Sequence, residues 1–372
     1  MNYTECIHLI NNKNKNLLRL FLVTCLAIIS VSVFYNHDVQ SVQQDSPTRS
    51  DSSACSPIYM SKAAHTLSRN ISESTIPTNF YAVKKFDNAG NVIFKFGLKG
   101  PDDGKFLHAH GIDVDSKGNI YVSDGEKCNI QKFDSNGRFI LKWGSVGTGA
   151  GKFLEPEEIA IDNNDNVFVA DYSNQYIQKF DSNGKFLSMW GSKGDGESEF
   201  IKPWGISVDN KGNVYVSDQG NPVIQVFDND GRFLKKWGSF GSDDGQFVHL
   251  HGIDVDSKDN VYVTDGRNNS RVDKFDKNGI FVSKWGSKGS LTGQFIEDHG
   301  IATDSSGYVY VVDTRNVRIQ KFTNSGEFVS KWGSLGCGNN EFLIPHDITT
   351  DLDGYIYTTD SGNVHFREKY LC

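Results

Sequence analysis

The 372-residue chain has little proline, methionine or cysteine, with 8, 3 and 6 residues respectively. Six cysteines are too few for a disulfide scaffold in a chain of this length, and they do not have zinc-knuckle spacing. Charged residues make up 23% and hydrophobic residues 37%, which excludes a disordered chain and a polytopic membrane protein. The net charge of −8 argues against a nucleic-acid partner, because binding a phosphate backbone requires a positive surface.

The N-terminal part of the chain differs from the rest. Residues 17–35 are almost wholly apolar, and Lys13 and Lys15 precede them. This charge bias predicts that the N-terminus lies inside the cell. We predict a short cytoplasmic tail at 1–16, a transmembrane signal anchor at 17–35, a disordered tether at 36–79 and an extracytoplasmic domain at 80–372. The expected location is the cell membrane, in a single-pass arrangement; the alternative, a cleaved signal peptide, predicts a secreted protein.

An internal repeat occupies the predicted domain. Six phenylalanines recur at intervals of 47 or 48 residues: Phe106, Phe153, Phe200, Phe247, Phe295 and Phe342. After each of them come short segments in which apolar residues alternate, and turn residues separate the segments. A four-stranded antiparallel unit repeated at this spacing predicts an all-β fold, a six-bladed β-propeller. We expect residues 92–97 to complete the blade that begins at Phe342, so that the two ends of the domain close the ring.

The repeat resembles a known family. Gly111–Asp115, Asn119–Asp124 and Ile130–Asp134, followed by the Lys-Trp-Gly-Ser segment 142–145, resemble the NHL repeat. The resemblance covers residues 80–372 and implies a propeller. It implies no single function, because NHL propellers occur in RNA-binding and protein-binding modules, in extracellular proteins and in the peptidyl-hydroxyglycine amidating lyases.

Residues that recur in every blade are expected to be structural, whereas residues that vary mark a candidate site. The position before the first strand varies and, in blade order, holds His110, Glu157, Trp204, His251, His299 and His346. Two residues earlier stand His108, Glu155, Lys202, His249, Glu297 and Ile344. Because first strands line the channel of a propeller, these side chains should converge at one mouth of it. We also expect Asp113 and Asp254 to face each other across the channel.

Imidazoles and a carboxylate that converge on one axis are suited to hold a metal ion. The candidate ligands are His251, His346, Glu157, His110 and His299, and zinc or calcium is the candidate ion. Asp113, Asp254, Trp204, His108 and His249 are expected to line the channel. Two other interpretations stay open: a polar channel or peptide site without metal, and a structural role in which each histidine donates to a carbonyl of the next blade.

The amidating-lyase resemblance implies zinc-binding histidines at this position in alternate blades. Pro345–Ile348 resembles one of the family's motifs, and His251 occupies a second such position. The third position holds Glu157, and the segment that carries the family's catalytic tyrosine reads Ser123-Asp124-Gly125-Glu126.

Without a complete catalytic set, the sequence favours a noncatalytic scaffold over an enzyme. We expect it to bind a protein, peptide or glycan and to contact the membrane through its N-terminal helix. The alternatives are a zinc-dependent lyase or hydrolase and a structural envelope component.

Overall fold

The computed structural model describes residues 80–362, whose regular secondary structure is almost entirely β-strand. The strands are β1 (Tyr81–Phe86), β2 (Val92–Leu98), β3 (Ala109–Val114), β4 (Ile120–Asp124), β5 (Asn129–Phe133), β6 (Phe139–Trp143), β7 (Pro156–Ile161), β8 (Val167–Asp171), β9 (Tyr176–Phe180), β10 (Phe186–Trp190), β11 (Ser192–Lys193), β12 (Glu199–Phe200), β13 (Pro203–Val208), β14 (Val214–Asp218), β15 (Val223–Phe227), β16 (Phe233–Trp237), β17 (Leu250–Val255), β18 (Val261–Asp265), β19 (Arg271–Phe275), β20 (Phe281–Trp285), β21 (Asp298–Thr303), β22 (Tyr308–Asp313), β23 (Arg318–Thr323), β24 (Phe328–Trp332), β25 (Ser334–Leu335), β26 (Glu341–Phe342), β27 (Pro345–Thr350) and β28 (Ile356–Asp360). One 3-10 turn, Thr314–Asn316, lies between β22 and β23.

Six four-stranded antiparallel sheets form the six blades, which confirms the predicted propeller. Blades 1 to 5 are β3–β6, β7–β10, β13–β16, β17–β20 and β21–β24. The two-stranded sheets β11–β12 and β25–β26 lie in loops between blades. The first strand is innermost, and its burial contrasts with the alternating exposure of the fourth strand.

Blade 6 closes the ring and contains both ends of the described chain. Its strand order is β27, β28, β1 and β2, so the N-terminal segment supplies the third and fourth strands. Within it Val83 of β1 pairs with Thr359 of β28, and Val83 also pairs with Phe96 of β2. The prediction that residues 92–97 complete this blade is confirmed. The third strand of this blade is β1.

The core lies between the blades. Six clusters of buried side chains among the described residues each join two neighbouring blades. At the interface of blades 1 and 2, Trp143 packs on Phe180 with ring centroids 5.8 Å apart. Gly184 lies beneath this tryptophan at a φ of +76°, where a Cβ atom would come within 2.6 Å of the indole. Glycine is therefore required there both for the turn and for the close approach.

The aspartate that directly follows each first strand caps the next turn, as expected. In blade 1, Oδ1 of Asp115 accepts hydrogen bonds from the backbone of Lys117 and Asn119, at 3.0 and 2.9 Å. Its other oxygen accepts from the hydroxyl of Tyr121 at 2.9 Å. The same capping recurs around the ring, at Asp351 for example.

The predicted cytoplasmic tail, transmembrane anchor and tether lie outside the described residues. Within residues 80–362, no helix has the length and apolar character needed to cross a membrane.

Packing between blades predicts the effect of two glycine substitutions. Gly184→Ala and Gly151→Ala both place a side chain at positive φ, +76° and +71°, but only Gly184 has atoms within 4 Å of the new Cβ. We expect Gly184→Ala to lower the free energy of unfolding by about 1–3 kcal/mol more than Gly151→Ala, because it overpacks the Trp143 interface. Denaturant unfolding followed by circular dichroism measures this. Equal losses in the two variants would show that backbone strain alone decides the cost.

Candidate functional site

A β-bulge in each first strand places the variable residues at the channel mouth. In β3 the pairing register shifts between Ala109 and Ile112, which puts the bulge at His110 and Gly111. The same shift occurs in the first strand of every other blade. The variable residue is therefore the second residue of each first strand and not the residue before it, and it lies at the bulge, which redirects side chains. Gly111 allows blade 2 to approach closely, because a Cβ there would lie 2.5 Å from the Glu157 carbonyl oxygen.

A second recurrent aspartate holds the segment that enters each first strand. Asp124 accepts hydrogen bonds from the backbone nitrogens of Leu107 and His108, at 3.0 and 3.1 Å. In blade 4, Asp265 holds the backbone nitrogen of His249 at 2.8 Å. The structural aspartates thus fix the backbone that carries the mouth residues.

Five aromatic side chains form a closed ring around the mouth. Ring centroids lie 4.3 Å apart for His110–His346, 5.0 Å for His346–His299, 4.1 Å for His299–His251, 5.1 Å for His251–Trp204 and 5.7 Å for Trp204–His110. The predicted convergence of these residues is therefore observed. Packing against one another buries most of them; His251 keeps only 2% of its surface exposed.

Three histidines bring their ligand atoms close enough to share a metal ion. The ligand atoms of His108, His110 and His346 all lie within 4.8 Å of one another. A tetrahedral zinc ion, with Zn–N bonds of 2.0–2.1 Å, places its ligand nitrogens about 3.4 Å apart, so the rings need to approach by up to about 1.4 Å. Imidazole donors suit zinc, whereas calcium prefers oxygen ligands.

The remaining candidate ligands make other contacts. A carboxylate oxygen of Glu157 lies against Nδ1 of His110. Nδ1 of His251 lies 3.0 Å from the backbone carbonyl of Asp298 and must donate to it, because a carbonyl only accepts. His299 contacts His346 through their Nδ1 atoms at 3.3 Å, so one of the two donates and the other accepts. Among the described residues, Nε2 of His299 and Nδ1 of His249 are buried without a hydrogen-bond partner.

Burial keeps the mouth histidines neutral at physiological pH. It lowers the pKa of His110 and His249 to about 4 and that of His299 to about 3. Burial, followed by the neighbouring imidazoles, places the pKa of His346 well below its ordinary value. Burial acts in the opposite sense on Glu157, whose pKa it raises.

A cationic rim, formed by Arg267, Arg315 and Lys202, flanks the mouth on the side of blades 3 to 5, and neither arginine was predicted from the sequence as a site residue. The backbone nitrogen of Gly266 donates to the carbonyl of His249 at 3.0 Å, and Arg267 follows directly. Arg267 and Arg315 both donate to the carboxylate of Glu297. Both arginines stand in turns between second and third strands, where the repeat varies from blade to blade. That variation is the signal that could have identified them.

Nearby, the aromatic surface continues beyond the ring. Lys202 places its Nζ 5.1 Å from the ring centre of Tyr172. Tyr172 packs edge-on against Trp204 with centroids 5.5 Å apart.

Beneath the mouth, the channel contains a polar cavity of about 180 Å³. Asp113 and Asp254 line it, as expected, and Glu158 and Asp347 line it as well. These carboxylates join adjacent first strands: Asp113 accepts from the backbone nitrogen of Ile161 at 2.7 Å, and Asp347 accepts from that of Ile112 at 2.9 Å. Backbone N–H groups of adjacent first strands therefore donate to carboxylates that line the channel.

Comparisons with known proteins agree with this fold. Residues 98–178 match a family described as a 6-bladed beta-propeller, and residues 200–227 and 247–275 match the NHL repeat. The chain therefore contains NHL repeats and folds as a six-bladed β-propeller. No curated protein matches the chain.

Several solved structures are similar in fold. A protein of unknown function from Bacteroides thetaiotaomicron is 15% identical with a TM-score of 0.54, covering 75% of this chain and 76% of its own. A streptogramin B lyase is 15% identical with a TM-score of 0.52, covering 75% of this chain and 95% of its own. A catalytically inactive variant of virginiamycin B lyase from Staphylococcus aureus, solved with quinupristin, is 16% identical with a TM-score of 0.51, covering 75% and 82%. At these identities the likeness bears on the fold alone.

The buried carboxylate Asp113 predicts a pH-dependent stability. Burial raises its pKa from an ordinary value of 3.8 to about 7. The stabilisation that protonated Asp113 gives is therefore complete below about pH 4 and is lost as the pH rises to about 7. We expect the stability of Asp113→Asn, relative to the wild type, to increase by roughly 2 kcal/mol between pH 5 and pH 8.

Urea unfolding at the two pH values measures this difference. The hydrogen bond lost in Asp113→Asn adds a cost that does not depend on pH, so the change in the difference is the readout. Asp134→Asn, in the exposed turn after β5, is the control and should show no such change. A pH-independent difference for Asp113→Asn would show that Asp113 is ionised throughout the range.

Proposed function

We propose that the protein is an extracytoplasmic binding module, tethered to the membrane by residues 17–35, whose ligand site is the channel mouth. A transition-metal ion, zinc in the first place, anchors the ligand on His108, His110 and His346. The observation that carries this proposal is the approach of the three imidazoles, whose ligand atoms lie within 4.8 Å of one another.

The surroundings of the three histidines support metal binding. A metal ligand must be a neutral imidazole, and burial favours the neutral form by lowering the pKa of His110 to about 4. Glu157 at Nδ1 of His110 leaves Nε2 of that ring for the metal. A carboxylate that orients a ligating histidine in this way is common around zinc.

A metal-dependent lyase or hydrolase is the second candidate. Three imidazoles occupy three of the four positions of a tetrahedral ion, and catalytic zinc sites keep the fourth position for water or substrate. The noncatalytic module is favoured because the turn that holds the amidating lyases' catalytic tyrosine carries Glu126 in blade 1 and Arg267 in blade 4.

Metal content tests the proposed site. The full-length chain in detergent, incubated with zinc and freed of excess metal, should retain about one ion per chain by elemental analysis. His110→Ala/His346→Ala should retain less than about 0.1 ion, because it removes two of the three ligands. The control His249→Ala/His251→Ala changes the near-identical pair in blade 4 and should retain the metal.

If the double variant fails to fold, the single variant His108→Ala replaces it, because His108 is only half-buried and is also one of the three ligands. Circular dichroism checks that each variant is folded. A wild type without metal would overturn the proposal. Full retention of metal in a folded His110→Ala/His346→Ala variant would overturn it equally.

The tether is tested separately by fractionation. Because residues 17–35 are apolar, the full chain should stay with the membranes after alkaline extraction, and a variant lacking 17–35 should not. Release of the full-length chain by alkali would contradict the anchor and favour the secreted form.

A further inference from the structure

The cationic rim indicates which ligands the mouth selects. The turn that carries Arg267 packs on the ring of His251, since a Cβ at Gly266 would lie 2.9 Å from Nδ1 of that histidine. The side chain of Arg267 is 60% exposed, so its guanidinium is open to solvent at the mouth. Lys202, on the neighbouring blade, is exposed as well.

The two arginines of this rim compete for one carboxylate. Glu297 accepts hydrogen bonds from both Arg267 and Arg315, so its carboxylate is shared between two guanidinium groups. Glu155, the acidic group next to Lys202, accepts a hydrogen bond from the hydroxyl of Ser173, and burial raises the pKa of its carboxyl. The charge of the rim reaches into the mouth: after burial, Arg267 and Lys202 are the largest causes that lower the pKa of His249.

Trp204 contacts both His110 of the three-histidine group and His251, on which the turn of Arg267 packs. This indole packs on His110 at 5.7 Å and on His251 at 5.1 Å between ring centroids, and it is half-buried. A ligand that reaches from the three-histidine group to Arg267 would therefore lie across an aromatic surface. Its two ends would meet different chemistry: the metal proposed for the three histidines at one end and a guanidinium at the other.

We propose that the mouth selects small ligands with two oxygen-rich ends, one that binds the metal and one carboxylate that binds Arg267, with Lys202 in support. The short apolar link between the ends lies on Trp204. This inference rests on the proposed metal site. It assigns Arg267 the role of the specificity-determining residue, because an arginine can hold a carboxylate through two parallel hydrogen bonds.

The test compares two probes of equal chain length, succinate and butyrate, on the full-length protein loaded with cobalt. The cobalt absorption bands report binding at the metal, and metal content is measured first for every sample. We expect succinate to bind about tenfold more tightly than butyrate, because only succinate has a second carboxylate for Arg267. Arg267→Gln should remove most of this preference and leave the affinity for butyrate unchanged.

Two further variants test the role of Arg267: one should strengthen succinate binding and the other should leave it unchanged. Glu297→Gln removes the carboxylate that competes for Arg267 and should strengthen succinate binding. Lys236→Gln, on the outer strand of blade 3, lowers the net charge equally and should have no effect. A succinate preference that survives Arg267→Gln, or that Lys236→Gln lowers as much, would overturn the inference while leaving the metal site intact. Absence of cobalt from the wild type would instead refute the proposed function.

Discussion

The pairing of β1 with β28 is the contact on which the rest of the molecule depends. It joins the two ends of the described chain and makes blade 6 complete, with Lys84 paired to Thr358 at its centre. Blade 6 carries His346 on β27, and blade 1 carries His110 on β3 and His108 just before it. The three-histidine group therefore spans the seam of the ring. A propeller left open at this seam would lose the site even if the other five blades kept their structure.

Hydrogen bonds across the seam show how tightly closure and the site are linked. Thr359 of β28 donates its hydroxyl hydrogen to the carbonyl oxygen of His110. Asp347, adjacent to His346, accepts from the backbone nitrogen of Ile112 at 2.9 Å. The backbone of the mouth is thus held by the same contacts that hold blade 6 against blade 1.

Blades 1 and 4 show what a repeat sequence can predict and what it cannot. Their mouth segments are nearly identical, and the sequence correctly predicted the strands, the six blades and the convergence of the histidines. It did not predict that His110 and His251 have different partners. His110 meets Glu157, whereas His251 donates to a carbonyl of blade 5, as the structural interpretation proposed. The difference comes from the next blade in the ring, and nothing within either segment encodes it.

The bulges explain why the histidine grouping escaped prediction. The alternate-blade pattern pointed to His251, His346 and Glu157, but the structure groups His346 with His108 and His110 of the adjacent blade. His108 and His110 belong to different columns of the repeat, two residues apart. Register predicts which face of a strand a residue occupies, but a bulge changes side-chain direction locally, so the meeting of the two columns could not be derived.

Burial acts in opposite senses on the two kinds of titratable group at the mouth. It lowers the pKa of His110 and raises that of Glu157, so it favours the neutral form of both. Neutral imidazoles carry the lone pairs that a metal ion needs. A divalent ion in the three-histidine group would add positive charge beside Glu157 and favour its carboxylate form. The ionised carboxylate would in turn attract the Nδ1–H group of His110 more strongly. The cationic rim does not offset the effect of burial on Glu157, and the ion for which the imidazoles are suited would add positive charge directly beside it.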